Sequence, residues 1–111
     1  MAGDALNVRF PELARASLRE VIGHEPTDGL VDLAATAVAA LQGEQDSAGA
    51  EWRESIDLAA GTAMPADERQ VDAVVRENAP LPALPDGAGP ADVLRHTLRL
   101  TAGHAADRLP R

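Results

Sequence analysis

The segment from Leu30 to Leu41 reads Leu-Val-Asp-Leu-Ala-Ala-Thr-Ala-Val-Ala-Ala-Leu, and only Asp32 and Thr36 interrupt it. A run this short does not span a bilayer, which takes roughly 20 apolar residues. Alanine and leucine are strong helix formers. A helix that is apolar nearly all round has no face to give to solvent, so other elements have to wrap it. The segment is therefore the expected centre of an all-α fold, a small bundle of about five helices built from the flanking periodic stretches.

Those stretches follow in order. Residues 1–8 are expected as a loose N-terminal arm. Phe10-Pro11-Glu12 then opens a helix with Pro11 in its first turn. Phe10, Leu13, Ala14, Leu18, Val21 and Ile22 recur at helical spacing. Arg15 and Arg19 take the opposite side, and Gly23 is the expected stop. His24 to Gly29 forms a turn in which Thr27 or Asp28 caps the central helix. After a polar connection over 44–49, a third helix is expected from about Ala48 to Ala60, with Trp52, Ile56 and Ala59 on one face and Gly61 ending it. A fourth follows Met64-Pro65, with Asp67 and Glu68 where the helix dipole favours acids and Val71, Val74, Val75 and Asn78 inward. Residues 79–90 carry prolines and glycines that forbid a helix. The last helix is expected from Ala91 to Asp107, with Leu94, Leu98, Thr101, Ala105 and Leu109 inward. No stretch alternates at period two, and the 111 residues suit one domain.

Hydrophobic residues make up 45% of the chain, but many are alanine, and Phe10 and Trp52 are its only aromatics. Small side chains bury little area each, so the core is thin for the chain length. Burial against a second copy is the simplest remedy, which leads us to expect a twofold homodimer. The formal net charge of -8 argues against a nucleic-acid partner, since such a protein presents a basic face. It equally disfavours an anionic membrane surface. The chain has no cysteine, hence no disulfide, thiolate nucleophile or thiolate metal site. Every basic residue is arginine, which excludes a lysine nucleophile of the protein's own. The N-terminus begins no apolar signal core, so a cytoplasmic protein is expected.

Few side chains carry obvious chemistry. His24, His96 and His104 are the histidines, the side chains suited to proton transfer near neutrality. His24 sits in a turn, where ligand-binding residues often stand on a rigid scaffold; an exposed turn histidine is the alternative. His96 and His104 lie two turns apart on one helix, too far for the tight pairing of a helical metal site, so no metal is expected. Asp32 and Thr36 share a face of the central helix. Either they are buried and functional or that face reaches solvent, and the second reading is preferred. Trp52, between Glu51 and Arg53 and ahead of Asp57, can wall a cleft, anchor a dimer or fill the core. Arg95, His96 and Arg99 form a small cationic cluster suited to a carboxylate, with a solvated face as the simpler reading. There is no phosphate-binding loop and no nucleophile elbow, so no cofactor is expected.

The chain length, the acidic cysteine-free composition and the stretches Phe10-Pro11-Glu12-Leu13, His24-Glu25-Pro26 and Glu51-Trp52-Arg53-Glu54 resemble the small helical proteins of lanthipeptide biosynthesis that form the lysinoalanine bridge of cinnamycin- and duramycin-type peptides. The resemblance implies a modified peptide as substrate. A lysine amine of that peptide adds to a dehydroalanine, an aza-Michael cyclisation achieved largely by positioning. On that reading the peptide lies in a cleft bounded by Phe10, His24 and Trp52. Glu51, Arg53 or Asp57 then make polar contacts, and His24 accepts the proton. The competing class is a non-catalytic helical adaptor or regulatory module. A small DNA-binding regulator is the least compatible with the charge.

Overall fold

Five helices and no strand make up the described residues of the computed structural model. It describes the backbone of residues 2–44, 52–82, 84 and 87–106, and the side chains of 11–41, 54–82, 84 and 87–106. The helices are α1 (Ala2–Ile22), α2 (Asp28–Glu44), α3 (Trp52–Ala63), α4 (Glu68–Glu77) and α5 (Pro90–Ala106). The all-α expectation holds, as does the order of the elements. No helix among the described residues is long and apolar enough to cross a membrane.

α2 is the central helix. It packs on α1, α3 and α5, while α4 lies against α5. Its buried side is Leu30, Val31, Ala34, Ala37, Val38 and Leu41. It is not wrapped all round, however: Asp32, Thr36 and Ala39 form an exposed stripe, and the Thr36 hydroxyl donates to the Asp32 carbonyl at 3.0 Å. The two polar residues are thus enough to turn one face of an otherwise apolar helix to solvent. Half of the buried apolar residues described are alanines, among them Ala14, Ala59, Ala60, Ala102 and Ala105. Such small side chains contribute less buried area than leucine, so Leu18, Leu30, Leu41, Leu94 and Leu98 supply the bulk, each worth about 1.5–3 kcal/mol of burial.

The helix ends follow local chemistry. Gly23, at φ 80°, closes α1 in the left-handed conformation that a glycine adopts without cost, and its N–H donates to the Arg19 carbonyl at 2.9 Å. The side chain of Asp67 accepts from the Arg69 N–H at 2.9 Å and caps α4. Thr27 caps α2 through its carbonyl, which takes the Val31 N–H at 3.0 Å.

Two expected boundaries are corrected. α1 starts at Ala2, so residues 2–8 extend the helix and are not a loose arm, and Pro11 lies inside it. Proline removes only its own N–H from the ladder, and a helix can run through it at a cost. α3 continues through Gly61 to Ala63. Pro65 sets its end, since the residue before a proline is pushed out of helical conformation. α5 runs through Gly103 as expected and is described from Pro90 to Ala106. A helical glycine costs only about 1 kcal/mol, which packing on both sides overrides.

α4 is fastened at its far end by Asn78, which is fully buried. Its Oδ1 accepts the Thr27 N–H at 2.8 Å. Its Nδ2 donates to Thr27 Oγ1 at 3.0 Å and to the Val74 carbonyl at 2.8 Å. One amide thereby ends α4 and ties it to the start of α2.

Candidate functional site

α1, α3 and α5 border an open cleft of about 610 Å³. The volume falls within the range of about 300–1,000 Å³ usual for small-ligand sites. Val21 of α1, Ile56 of α3 and Leu100 of α5 line it with apolar surface, while its polar lining is His96, Arg99 and His104, all from α5. The helical period explains why one helix supplies so much. Residues 96, 100 and 104 stand four apart, and 99 and 103 fall beside them, so all lie on one stripe. Gly103 lines the cleft too, and a Cβ there would stand 3.7 Å from Ile56 Cδ1. The missing side chain leaves part of the hollow open.

The cleft's charge is one-sided. No carboxylate lines it among the described residues. Asp57, from α3, accepts from Arg99 Nε at 2.6 Å. The contact runs through Nε, and both side chains are about half-exposed beside the cleft. His104 Nδ1 is buried without a hydrogen-bond partner among the described residues. Eight residues at about 1.5 Å of rise put His96 and His104 about 12 Å apart along α5, so one metal ion cannot bridge them. No group of three metal-ligating side chains occurs among the described residues.

His24 has different surroundings. Its Nε2 lies 3.1 Å from the Pro80 carbonyl and its Nδ1 3.3 Å from the Glu25 carbonyl. Carbonyls only accept, and a neutral imidazole carries a single N–H, so the neutral ring donates to one of them at a time. Donation from Nε2 to Pro80 fastens the α1–α2 turn to the segment after α4, whereas donation from Nδ1 to Glu25 stays within the turn. Beside it, Arg15 donates to Glu25 at 2.7 Å and Asp28 at 2.8 Å, and Arg19 donates to Glu25 at 2.8 Å. Hydrogen bonds from Arg19 and then Arg15 hold the Glu25 carboxyl below its ordinary range. The Arg15 guanidinium is correspondingly raised, first by Glu25 and then by Asp28.

Of the expected site residues, Asp57 stands beside the cleft through Arg99, and His24 belongs to the α1–α2 corner. Phe10, Trp52 and Arg53 lie within α1 and α3, but their side chains are outside the described residues; Glu51 is outside them altogether. Trp52 precedes the cleft-lining Ile56 by one helical turn. His104 and Ile56 were not expected at the site. The cationic residues His96 and Arg99 are visible in the sequence as a cluster, but their apolar counter-walls come from two other helices and leave no sequence signal. No protein-family model matches the chain, and neither does any curated protein or solved structure.

Proposed function

We propose that the protein binds a modified lanthipeptide in the α1/α3/α5 cleft and closes a lysinoalanine bridge there, adding a substrate lysine amine to a dehydroalanine. The observation that carries the reading is the cleft's polar lining, which holds His96, Arg99 and His104 and, among the described residues, no acid. A free lysine amine has a pKa of about 10.4 and must lose a proton before it can attack. Nearby positive charge and apolar walls both disfavour the ammonium form, whereas a carboxylate would stabilise it. Among the described residues, the acid beside the cleft, Asp57, is already paired with Arg99.

The chemistry divides among these residues. An imidazole of His96 or His104 accepts the ammonium proton. The freed nitrogen forms a bond to the β-carbon of the dehydroalanine, and the alkene electron pair moves to the adjoining carbonyl as an enolate. Arg99 donates hydrogen bonds to that oxygen. The histidinium then gives its proton to the α-carbon, which restores the neutral imidazole and leaves the new secondary amine protonated. The addition is redox-neutral and conserves mass, so it calls on no cofactor. Holding the two ends in attack geometry supplies up to ~7–11 kcal/mol in favourable cases. We further propose that the working form is a cytoplasmic homodimer. Leu58 of α3 and Leu100 of α5, 58% and 41% exposed, support a covering partner.

The test is a dehydrated, thioether-bearing peptide with a free lysine, incubated with the protein and then acylated. Cyclisation renders the lysine amine resistant to acylation. Replacing both His96 and His104 by Gln should slow that protection by about 10²–10⁴-fold, the usual cost of losing a general base. If the peptide binds but its amine stays fully reactive at stoichiometric protein, the adaptor reading replaces the cyclase.

A further inference from the structure

We propose that His24 is a proton-operated latch between the α1–α2 turn and the segment after α4. The inference concerns how the fold responds to pH, and it holds whatever occupies the α1/α3/α5 cleft. It rests on the acceptors around the ring. Both imidazole nitrogens face carbonyl oxygens, Nε2 that of Pro80 at 3.1 Å and Nδ1 that of Glu25 at 3.3 Å. A carbonyl only accepts, and a neutral imidazole carries one N–H. Whichever nitrogen holds it, the other turns its lone pair towards an oxygen. The imidazolium has two N–H groups and donates to both oxygens at once. Protonation therefore turns an opposed contact into a bond and makes both bonds charge-assisted. One of them joins positions 56 residues apart. Close by, the Asn78 amide ties the same two segments through Thr27 and does not titrate. It keeps the latch aligned whether the ring is charged or neutral.

The charged groups around the ring leave this proton to decide. On the turn, Glu25 is bound by Arg15 and Arg19, and Arg15 also reaches Asp28. Two cations thus face two carboxylates. Arg19 and Arg15 hold the Glu25 carboxyl below its ordinary range, so it stays ionised across the interval of about pH 5–8 in which histidine changes charge. On the other side, residues 79–82 are Ala-Pro-Leu-Pro and carry no ionisable side chain. The last turn of α4 brings Arg76, paired with Asp72, and the exposed Glu77. The folded chain holds two acceptors ready for the imidazolium, whereas the unfolded chain offers it water. Protonation of His24 therefore favours the folded state. Its contribution is present in acid and is lost as the ring deprotonates with rising pH.

The test compares the intact protein with His24→Gln, which keeps a side-chain amide donor but has no titrating ring. Equilibrium urea unfolding is read at about pH 5.5 and about pH 8, inside the folded range and on either side of histidine's charge change. The midpoint of the parent should exceed that of the variant by about 0.3–1 M more at the acid pH. The increment should persist in about 0.5 M sodium chloride, which screens exposed charges but leaves hydrogen bonds to carbonyls in place. Proton NMR of the parent should show two slowly exchanging ring N–H signals for His24 in acid and one at about pH 8. The latch is overturned if the gap between parent and variant is the same at both pH values or widens at the higher one. It is equally overturned if the increment vanishes in salt, which would assign it to the Glu25 carboxylate, or if both ring N–H groups exchange freely in acid.

Discussion

Replacing Asn78 by alanine is the sharpest perturbation of the fold. The side chain is fully buried and makes three hydrogen bonds, to the Thr27 N–H, the Thr27 hydroxyl and the Val74 carbonyl. At about 0.5–1.5 kcal/mol net for each bond, the loss is about 1.5–4.5 kcal/mol. Thr27 is only half-buried, so water reaches its freed groups in the variant, and the lower part of that range applies, about 2 kcal/mol. With an m value of about 1–2 kcal/mol/M, the urea midpoint should fall by roughly 1–2 M with no change in slope. Asn78→Asp is the matched control. It keeps the shape and the acceptor for Thr27 N–H, but it replaces the donor facing the Val74 carbonyl by a second acceptor and buries a charge. At neutral pH it should be at least as damaging as alanine. Relative to the parent, it should partly recover in acid, where the protonated carboxyl donates again. Equilibrium urea unfolding followed by far-ultraviolet circular dichroism reads all three proteins. If Asn78→Ala unfolds within about 0.5 kcal/mol of the parent, the amide does not fasten α4 to α2 as described.

Other outcomes follow from the same geometry. Gly61 and Gly103 both sit inside helices; a Cβ at Gly61 meets nothing within 4 Å, and one at Gly103 stands 3.7 Å from Ile56 Cδ1. Alanine at either position should raise thermal stability by about 0.5–1 kcal/mol, and only Gly103→Ala should weaken binding of the modified peptide; equal effects of the two on binding would contradict the position of the cleft. The depressed Glu25 carboxyl stabilises the α1–α2 corner above its ordinary value of 4.5, and this contribution is lost as pH falls through its lower folded value. The parent should therefore be more stable than Glu25→Gln at neutral pH, by an amount that vanishes in acid and shrinks in high salt because the groups are exposed; a difference that grows on acidification would reverse the sign of the argument. Sedimentation velocity at micromolar concentration should give a dimer, and Leu58→Glu should shift it to monomer; a parent that is monomeric throughout removes the dimer from the account.

Periodicity made much of the architecture readable. Val71, Val74 and Asn78 of α4 repeat at helical spacing behind an aspartate cap, and the structure buries all three. Gly23 ended its helix because the chain there needs a positive φ. Gly61 and Gly103 looked the same in sequence and ended nothing, since whether a glycine stops a helix depends on what packs around it. Pro11 was read as a first-turn residue because that is its cheapest position, yet α1 runs through it. The site was less readable. His96 and Arg99 are neighbours on one helix and stood out as a cationic pair, whereas Val21 and Ile56 reach the same cleft from α1 and α3. The bond between Asn78 and Thr27 joins positions 51 residues apart. Contacts of that range arise from helix packing and leave no local pattern. His24 drew attention as a turn histidine, but its contacts with the Pro80 and Glu25 carbonyls became visible only in three dimensions.

The cyclisation itself can be watched directly. The two vinyl protons of the dehydroalanine in a thioether-bearing precursor peptide give resolved proton NMR signals, and adding the lysine amine across that double bond removes both. With catalytic amounts of protein, the account predicts that these signals disappear at unchanged peptide mass, and that they persist when the protein is omitted. Vinyl signals that stay at full intensity in the presence of stoichiometric, folded protein would contradict it.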